Sequence, residues 1–392
     1  MDRLNRRAPD FWLYVPVIVL AGIGVVMVYS ASSIVAADRY GDAAYFLKRQ
    51  LIWVGLGGVA MLLAQRIYYA ALRRFTPLLL VLVLAALILV LVPGIGRVAG
   101  GARRWISLGG PLSVQPAEAA KLALTLYLAN FLTYRADWLR DFRRGVLPPL
   151  LITGLMFGLV LLQPDLGSAM LIGMVTFIML FVAGARLTHL AGVTALGIPA
   201  VLVAILGEEY RRRRLLAFLD PWADPQGAGF HIIQSLLALG SGGVLGVGLG
   251  NSRQKFFYLP ERHTDFIFSI LGEELGLLGT GAVIAMFALF AYRGFRAARR
   301  APDQFGALLA AGITTMILIQ AVLNIGVTTG VLPITGVPLP FLSFGGSSLL
   351  FTMISAGVLL NISQYARAPA EDTAARPAPP AGRRRPARAG AT

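Results

Sequence analysis

The chain contains no cysteine, which excludes a disulfide framework, a thiolate nucleophile and a Cys-ligated metal centre. Its three histidines, His189, His231 and His263, lie far apart, and no His-x-x-x-His pair is present to ligate zinc. Charge is scarce too. Charged residues make up 14% of the 392 residues, against about 25% in a soluble domain, so an ordinary water-soluble globular protein is excluded. Acids are the rarest charged groups, 19 against 35 Lys and Arg, which leaves a net charge of +16. That excess invites a nucleic-acid reading. The basic residues, however, sit in short loops and a tail, a placement that serves membrane topology, and no nucleic-acid partner is expected.

What the sequence has in abundance is apolar length. Hydrophobic residues are 57% of the chain and the mean hydropathy is +0.71. Crossing the hydrocarbon core takes about 20 apolar residues. Ten such stretches are present, at roughly 11–31, 46–65, 75–95, 117–134, 146–163, 168–184, 187–206, 266–291, 306–329 and 345–364. The expected fold is an all-α polytopic membrane protein with ten transmembrane helices and a large extracytoplasmic loop, about 207–265, between helices 7 and 8. The Lys/Arg bias sets the orientation. One set of loops carries Arg66, Arg73 and Arg74, then Arg135, Arg140, Arg143 and Arg144, then Arg186, and finally Arg293, Arg296, Arg299 and Arg300. The opposite short loops 163–167 and 330–344 carry no Lys or Arg, which makes both termini cytoplasmic. Arg97, Arg103, Arg104 and the Arg211–Arg214 run break the pattern on the outside. Residues 1–10 form a cytoplasmic N-terminus and 11–364 the membrane domain. Residues 365–392, rich in Pro, Ala and Arg, form a basic cytoplasmic tail with too little apolar content to fold.

The chemistry available lies in the outer loops. Asp265 stands where a polar loop turns into a membrane-length apolar run. A carboxylate there faces a lower dielectric than water, a setting that makes it a better proton acceptor. N-capping of the next helix is the plainer role for the same residue. Arg103 and Arg104 precede Trp105 and present forks suited to phosphate. Pro116 and Glu118 mark the first turn of the fourth span. Lys121 lies inside that span, where it needs a polar cavity or an ion pair with Glu118 three residues away. Asp165 is a turn or cap residue between two apolar runs. The glycine-rich stretch Gly240–Gly250, followed by Arg253 and Lys255, is a weak phosphate-cradle signal without P-loop spacing. Phe256, Phe257 and Tyr258 read as interfacial anchors. Ser347 and Ser348 open the last span with free N–H donors, an anion seat or simple capping. Glu273 and Glu274 must face protein or water. An acid, several cations and several helix N-termini on one membrane face suit a lipid-linked anionic substrate.

Four segments also carry a resemblance. Gly101-Ala-Arg-Arg-Trp-Ile with Gln115-Pro-Ala-Glu-x-x-Lys121, Gln163-Pro-Asp-Leu-Gly-Ser168, Leu259-Pro-Glu-Arg-His-Thr-Asp-Phe-Ile-Phe268, and Leu332-Pro-x-Thr-Gly-Val-Pro-Leu-Pro-Phe with Gly345-Gly-Ser-Ser348 resemble the SEDS family, which includes RodA, FtsW and SpoVE. The resemblance spans about 11–364. It is nearest to the FtsW/SpoVE branch through Pro93-Gly-Ile-Gly, Gly250-Asn-Ser-Arg-Gln-Lys and Gly272-Glu-Glu-Leu-Gly276. Ala117, Ser168 and Phe344 depart from the family's usual Ser, Thr and Tyr without removing a charge. The resemblance implies a peptidoglycan glycosyltransferase of the bacterial cytoplasmic membrane that polymerises lipid II at its outer face, for cell division or cell shape. It also implies a monofunctional penicillin-binding transpeptidase as partner, alongside other division or elongation membrane proteins. By matched position it makes Asp265 the essential aspartate, and Arg104, Glu118 and Lys121 sensitive charged residues.

On this reading Asp265 takes a proton from the incoming sugar hydroxyl. Arg104 and Lys121, helped by Arg103, Arg253 or Lys255, hold the pyrophosphate of the growing glycan strand on undecaprenyl pyrophosphate, with Glu118, Ser347 and Ser348 also at the substrate. No cofactor is required by the sequence. A divalent cation, Mg or Mn, is a candidate for sharing the pyrophosphate, with Glu261, His263 and Asp265 the suggestive triplet. The competing classes are a lipid II flippase and a noncatalytic division scaffold.

Overall fold

The computed structural model describes residues 6–99, 101–107, 109, 113–255 and 263–365. The anchors Phe256, Phe257 and Tyr258, the acid Glu261 and the basic tail lie outside the described residues. Helices occupy all ten of the apolar stretches: α1 (Phe11–Tyr40), α2 (Tyr45–Arg66), α3 (Leu72–Leu89), α4 (Pro116–Tyr134), α5 (Leu147–Leu161), α6 (Leu166–Val182), α7 (Leu187–Leu206), α10 (Ile267–Arg300), α11 (Gln304–Thr328) and α12 (Gly346–Gln364). Eight are long and apolar enough to cross a membrane, α5 being counted with the π-helical turn Phe142–Val146 that precedes it; α4, which carries Glu118 and Lys121, and the 17-residue α6 are not among them. Two further helices, α8 (Glu209–Leu219) and α9 (Phe230–Gly242), lie between α7 and α10. The 207–265 loop is therefore largely built, not slack.

Local chemistry sets the helix starts. Asp10 accepts the Trp12 N–H at 3.0 Å to open α1, and Asp165 accepts the Ser168 N–H at 3.0 Å to open α6. Pro116 occupies the first turn of α4, where a missing N–H costs nothing. Burial orders the bundle: 78% of the α11 window is inside the protein, against 6% for α7. So α11 is the central post, and α7 stands at the rim with its apolar surface outward. Where α2 meets α12, the small residues Gly57 and Gly357 let the chains approach until a Cβ would strike Met353 and the Met61 carbonyl. Small contacts of this kind replace hydrophobic driving force inside a bilayer.

Two departures from the expected all-α fold bear on the site. Gly96–Ala99 (β1), Ala102–Ser107 (β2) and Ser113–Val114 (β3) form a small antiparallel sheet in the order β1-β2-β3, where a loop was expected. The second is that α10 is broken at Gly276, whose φ of 63° and ψ of −160° are open to glycine and costly for other residues. The glycine-rich turn after α9 fills the break. Leu277 and Leu278 donate to the Gly243 and Val244 carbonyls at 2.9 and 3.2 Å, while Val247 and Gly248 donate to the Glu273 and Glu274 carbonyls at 2.9 and 3.1 Å. A break at membrane depth is tolerated because protein supplies these partners. Residues 243–248 of the Gly240–Gly250 stretch thus form a wedge in α10.

Candidate active site

Asp265 is half-buried in the turn that leads into α10. Its position is set by the 330–345 segment, whose prolines prevent a helix. The Asn324 amide on α11 donates both to the Asp265 carbonyl (2.7 Å) and to the Val337 carbonyl (2.8 Å). Ser343 Oγ donates to the Thr264 carbonyl at 2.6 Å, and the Phe344 N–H to the His263 carbonyl at 2.9 Å. Gly336 passes so close that a Cβ there would stand 3.6 Å from the Asp265 Oδ2, and its φ of 70° favours glycine. Two elements, α11 and the 330–345 segment, therefore hold one short turn. The helix N-cap role is not taken by this side chain: Phe266 is the capping residue of α10, with no side-chain cap bond.

The Asp265 side chain lines two adjoining cavities. One, of about 580 Å³, brings Glu209, Tyr210, Arg213, Asp224 and His231 together with the apolar Ala228, Phe266 and Ile334. The other, of about 270 Å³, joins Arg104 and Arg211 to the apolar Leu166, Met170 and Ile205. Arg214, Tyr210 and Ile334 border both. Burial lowers the Arg214 guanidinium below its usual pKa; Tyr210, Asp265 and Asp165 raise it again and Arg104 lowers it. That balance describes a cation shielded from water, with acids and a second cation in range. Arg104 is steadied by hydrogen bonds to the Gln163 carbonyl (2.9 Å) and to the Pro164 carbonyl. Asp165 keeps its capping role and also accepts from the Gln115 amide at 3.0 Å.

Several expected site residues are elsewhere. Strand alternation sends the neighbours Arg103 and Arg104 to opposite faces; Arg103 packs back on β1 and donates to the Leu91 carbonyl at 3.2 Å. Lys121 is buried in an ion pair with Glu118 at 2.8 Å and donates to Gln320 Oε1 at 3.0 Å. Lys255 is buried as well, 3.4 Å from Glu274, and donates to the Gly250 carbonyl. Arg253 is exposed, with its backbone N–H on Glu273. Ser347 and Ser348 are buried against the Gln115 N–H and the Gln320 amide. None of these seven side chains lines either cavity. Lys121, Glu118 and Lys255 cannot reach a pyrophosphate there without giving up buried partners. Glu273 and Glu274 have protein partners, as required of acids at that depth. Among the described residues no three His, Asp or Glu side chains stand close enough to share a metal ion.

The family model described as the cell cycle proteins FtsW, RodA and SpoVE matches residues 11–368. The chain belongs to this family. It is 45% identical to stage V sporulation protein E of Bacillus subtilis, over 93% of this chain and 99% of that one. It is 47% identical to a probable peptidoglycan glycosyltransferase FtsW of Geobacter metallireducens, over 90% and 94%. Among solved structures it resembles a chain from a study titled as the structural coordination of polymerization and crosslinking by a peptidoglycan synthase complex (36% identity, TM-score 0.75, 91% and 98% covered). It also resembles the rod shape determining protein RodA of Thermus thermophilus (32% identity, TM-score 0.66, 91% and 97% covered).

In this FtsW/RodA/SpoVE-family chain, the arginines that sequence reasoning did not place at the site are on α8. Arg211, Arg213 and Arg214 belong to the Arg211–Arg214 run, which looked only like an exception to the charge bias, and Tyr210 precedes it. The run's departure from the charge bias was itself the signal, because arginines that defeat the topology rule need another reason to be there. Arg211 shows how the run is held: it donates to the Ala204 carbonyl at 2.9 Å and the Leu161 carbonyl at 3.3 Å, fastening α8 to the ends of α7 and α5.

Proposed function

We propose that this multi-pass membrane protein is a peptidoglycan glycosyltransferase that polymerises lipid II, serving cell division or cell shape, with Asp265 as its general base. The ten helices cross the cytoplasmic membrane with both termini inside, so that the two cavities open at the outer surface. The observation that carries the proposal is that Asp265 lines both a cavity bearing Glu209, Tyr210, Asp224 and His231 and an adjoining one that sets Arg104, Arg211 and Arg214 beside apolar side chains.

The larger cavity suits a sugar: its acids, tyrosine and histidine offer both donors and acceptors. The smaller suits a lipid-linked pyrophosphate, with Arg104, Arg211 and Arg214 for the phosphates and Leu166, Met170 and Ile205 for the first isoprene units. Asp265 takes the proton from the 4-hydroxyl of the incoming lipid II. The freed oxygen bonds to C1 at the lipid-linked end of the growing strand, the C1–O bond to the pyrophosphate breaks, and undecaprenyl pyrophosphate leaves with the electron pair. The anomeric centre inverts. A phosphate leaving group needs stabilisation of charge more than an acid, which the arginines provide. Family membership and the names of its relatives support the activity, and the synthase complex among the similar structures supports a penicillin-binding transpeptidase as partner.

The test is reconstitution with lipid II followed by gel analysis of the glycan. Wild-type protein makes polymer, and Asp265→Asn, which keeps size and loses the base, is slower by roughly 100- to 10,000-fold. Near wild-type polymerisation by that variant removes Asp265 from its role. Translocation of lipid II without any polymer replaces the enzyme with a flippase.

A further inference from the structure

The far end of α10, opposite Asp265, carries a feature that polymerisation does not use. From Leu275 to Tyr292 the helix has no charged residue, and then Arg293, Arg296, Arg299 and Arg300 follow within eight positions. At a rise of about 1.5 Å per residue, that uncharged run is about as long as the hydrocarbon core is thick. The arginines therefore begin at the level of lipid headgroups. Tyr292 and Phe295, both exposed, flank them as interfacial aromatics do.

The arginines are not a loose fringe. Arg7, Arg293, Arg296 and Arg300 line a cleft of about 150 Å³ with Asp10 and Ser363, and Arg296, Arg299 and Arg300 line an adjoining one of about 430 Å³ with Tyr292. The N-terminal segment forms one wall, tied down by Arg6 Nε to Gln364 Oε1 (2.5 Å) and the Arg7 N–H to the Gln364 carbonyl (2.9 Å). Five arginines thus meet one carboxylate. That carboxylate is already engaged, since Asp10 receives Arg293 through two bonds of 2.9 and 2.5 Å. Arg7, Arg296, Arg299 and Arg300 have no ion pair among the described residues. Topology alone would be served by arginines spread into water. Here Arg296 and Arg300 are half-buried and shared by both clefts.

We propose that this paired cleft is a binding site for the phosphate of an anionic phospholipid headgroup, with Arg296 and Arg300 as its central ligands. Guanidinium forks match phosphate oxygens, and an anionic leaflet concentrates such groups at this depth. The location at the headgroup level, with aromatic neighbours, favours a lipid over a soluble acidic partner.

The experiment uses the full chain reconstituted in vesicles of phosphatidylcholine with or without phosphatidylglycerol, extracted gently and read by native mass spectrometry for retained lipid. Wild-type protein retains phosphatidylglycerol. Arg296→Gln/Arg300→Gln retains less by on the order of tenfold. The control Arg140→Gln/Arg143→Gln, which removes two exposed arginines from the α4–α5 connection, retains as much as wild type. Equal loss in both double variants reduces the effect to general surface charge and overturns the site. Unchanged retention in Arg296→Gln/Arg300→Gln overturns it as well. Displacement of the lipid by inorganic phosphate would assign the cleft to a soluble anion. Binding of a poly-glutamate peptide that depends on Arg296 and Arg300, without selective lipid retention, would assign it to an acidic protein segment. Either result refutes the lipid proposal.

Discussion

Among individual residues, chemistry at the site divides by what else each side chain must do. Arg214 borders both cavities and answers to Asp265, Asp165 and Arg104 at once, whereas Arg253 is exposed and contributes only its backbone. Arg214→Gln is expected to cut polymerisation roughly 100-fold, the cost of losing one preorganised charge partner, while Arg253→Gln stays within a few-fold. Steady-state kinetics on lipid II decide this, and equal effects would remove the distinction. Lys121 offers a sharper case. If its task is the ion pair, Glu118→Gln leaves a buried ammonium without its partner and destabilises the protein by about 3–5 kcal/mol. The double variant Glu118→Leu/Lys121→Met then recovers most of that loss in thermal unfolding. A stable double variant that cannot bind lipid II would instead return Lys121 to the substrate. Asp265 was legible from sequence because an acid beside an apolar run is rare. The Lys121–Glu118 pair was legible as an i,i+3 spacing, whereas Gln320 on Lys121 and Glu274 on Lys255 were not, because they lie far away along the chain.

At the level of elements, hydropathy located every long helix because apolar length survives any tertiary arrangement. The β1–β3 sheet escaped because its strands are short and carry arginines in place of alternating apolar residues. The interruption of α10 was invisible for another reason: Gly276 sits in a run that reads as continuous helix, and the wedge that parts it comes from around Gly243–Gly248. Gly246→Ala tests the wedge. Its φ of 81° disfavours alanine, and an added Cβ would meet the Glu274 carbonyl. A loss of roughly 1–3 kcal/mol is expected, seen as a lowered melting temperature in detergent. Gly154→Ala on α5, where nothing lies within 4 Å, should be neutral. Similar melting of both variants would mean that the break does not depend on this contact.

Across the whole molecule, the absence of cysteine becomes an experimental advantage, since any introduced thiol is the sole one. On the proposed orientation, a thiol at Ala223→Cys in the α8–α9 connection reacts with a membrane-impermeant maleimide applied to intact spheroplasts. One at Asp137→Cys between α4 and α5 reacts only after lysis. The reverse pattern inverts the molecule and puts Asp265 in the cytosol, where no lipid II polymer could be exported. The overall architecture was readable because membrane crossing constrains composition so strongly. The cavities were not, because they form where α8 folds back over α6, α7 and the 330–345 segment, and no linear pattern announces that meeting.

The severed α10 has a mechanical meaning as well. A continuous rod would pass twist and tilt from its arginine-bearing end straight to Asp265. Parted at Gly276, it leaves Ile267–Leu275 as a short pedestal beneath the carboxylate, clamped by Asn324 and Ser343 through the turn above it. A joint of this kind lets the longer segment, Leu277–Arg300, bend without drawing the Asp265 turn out of its clamps.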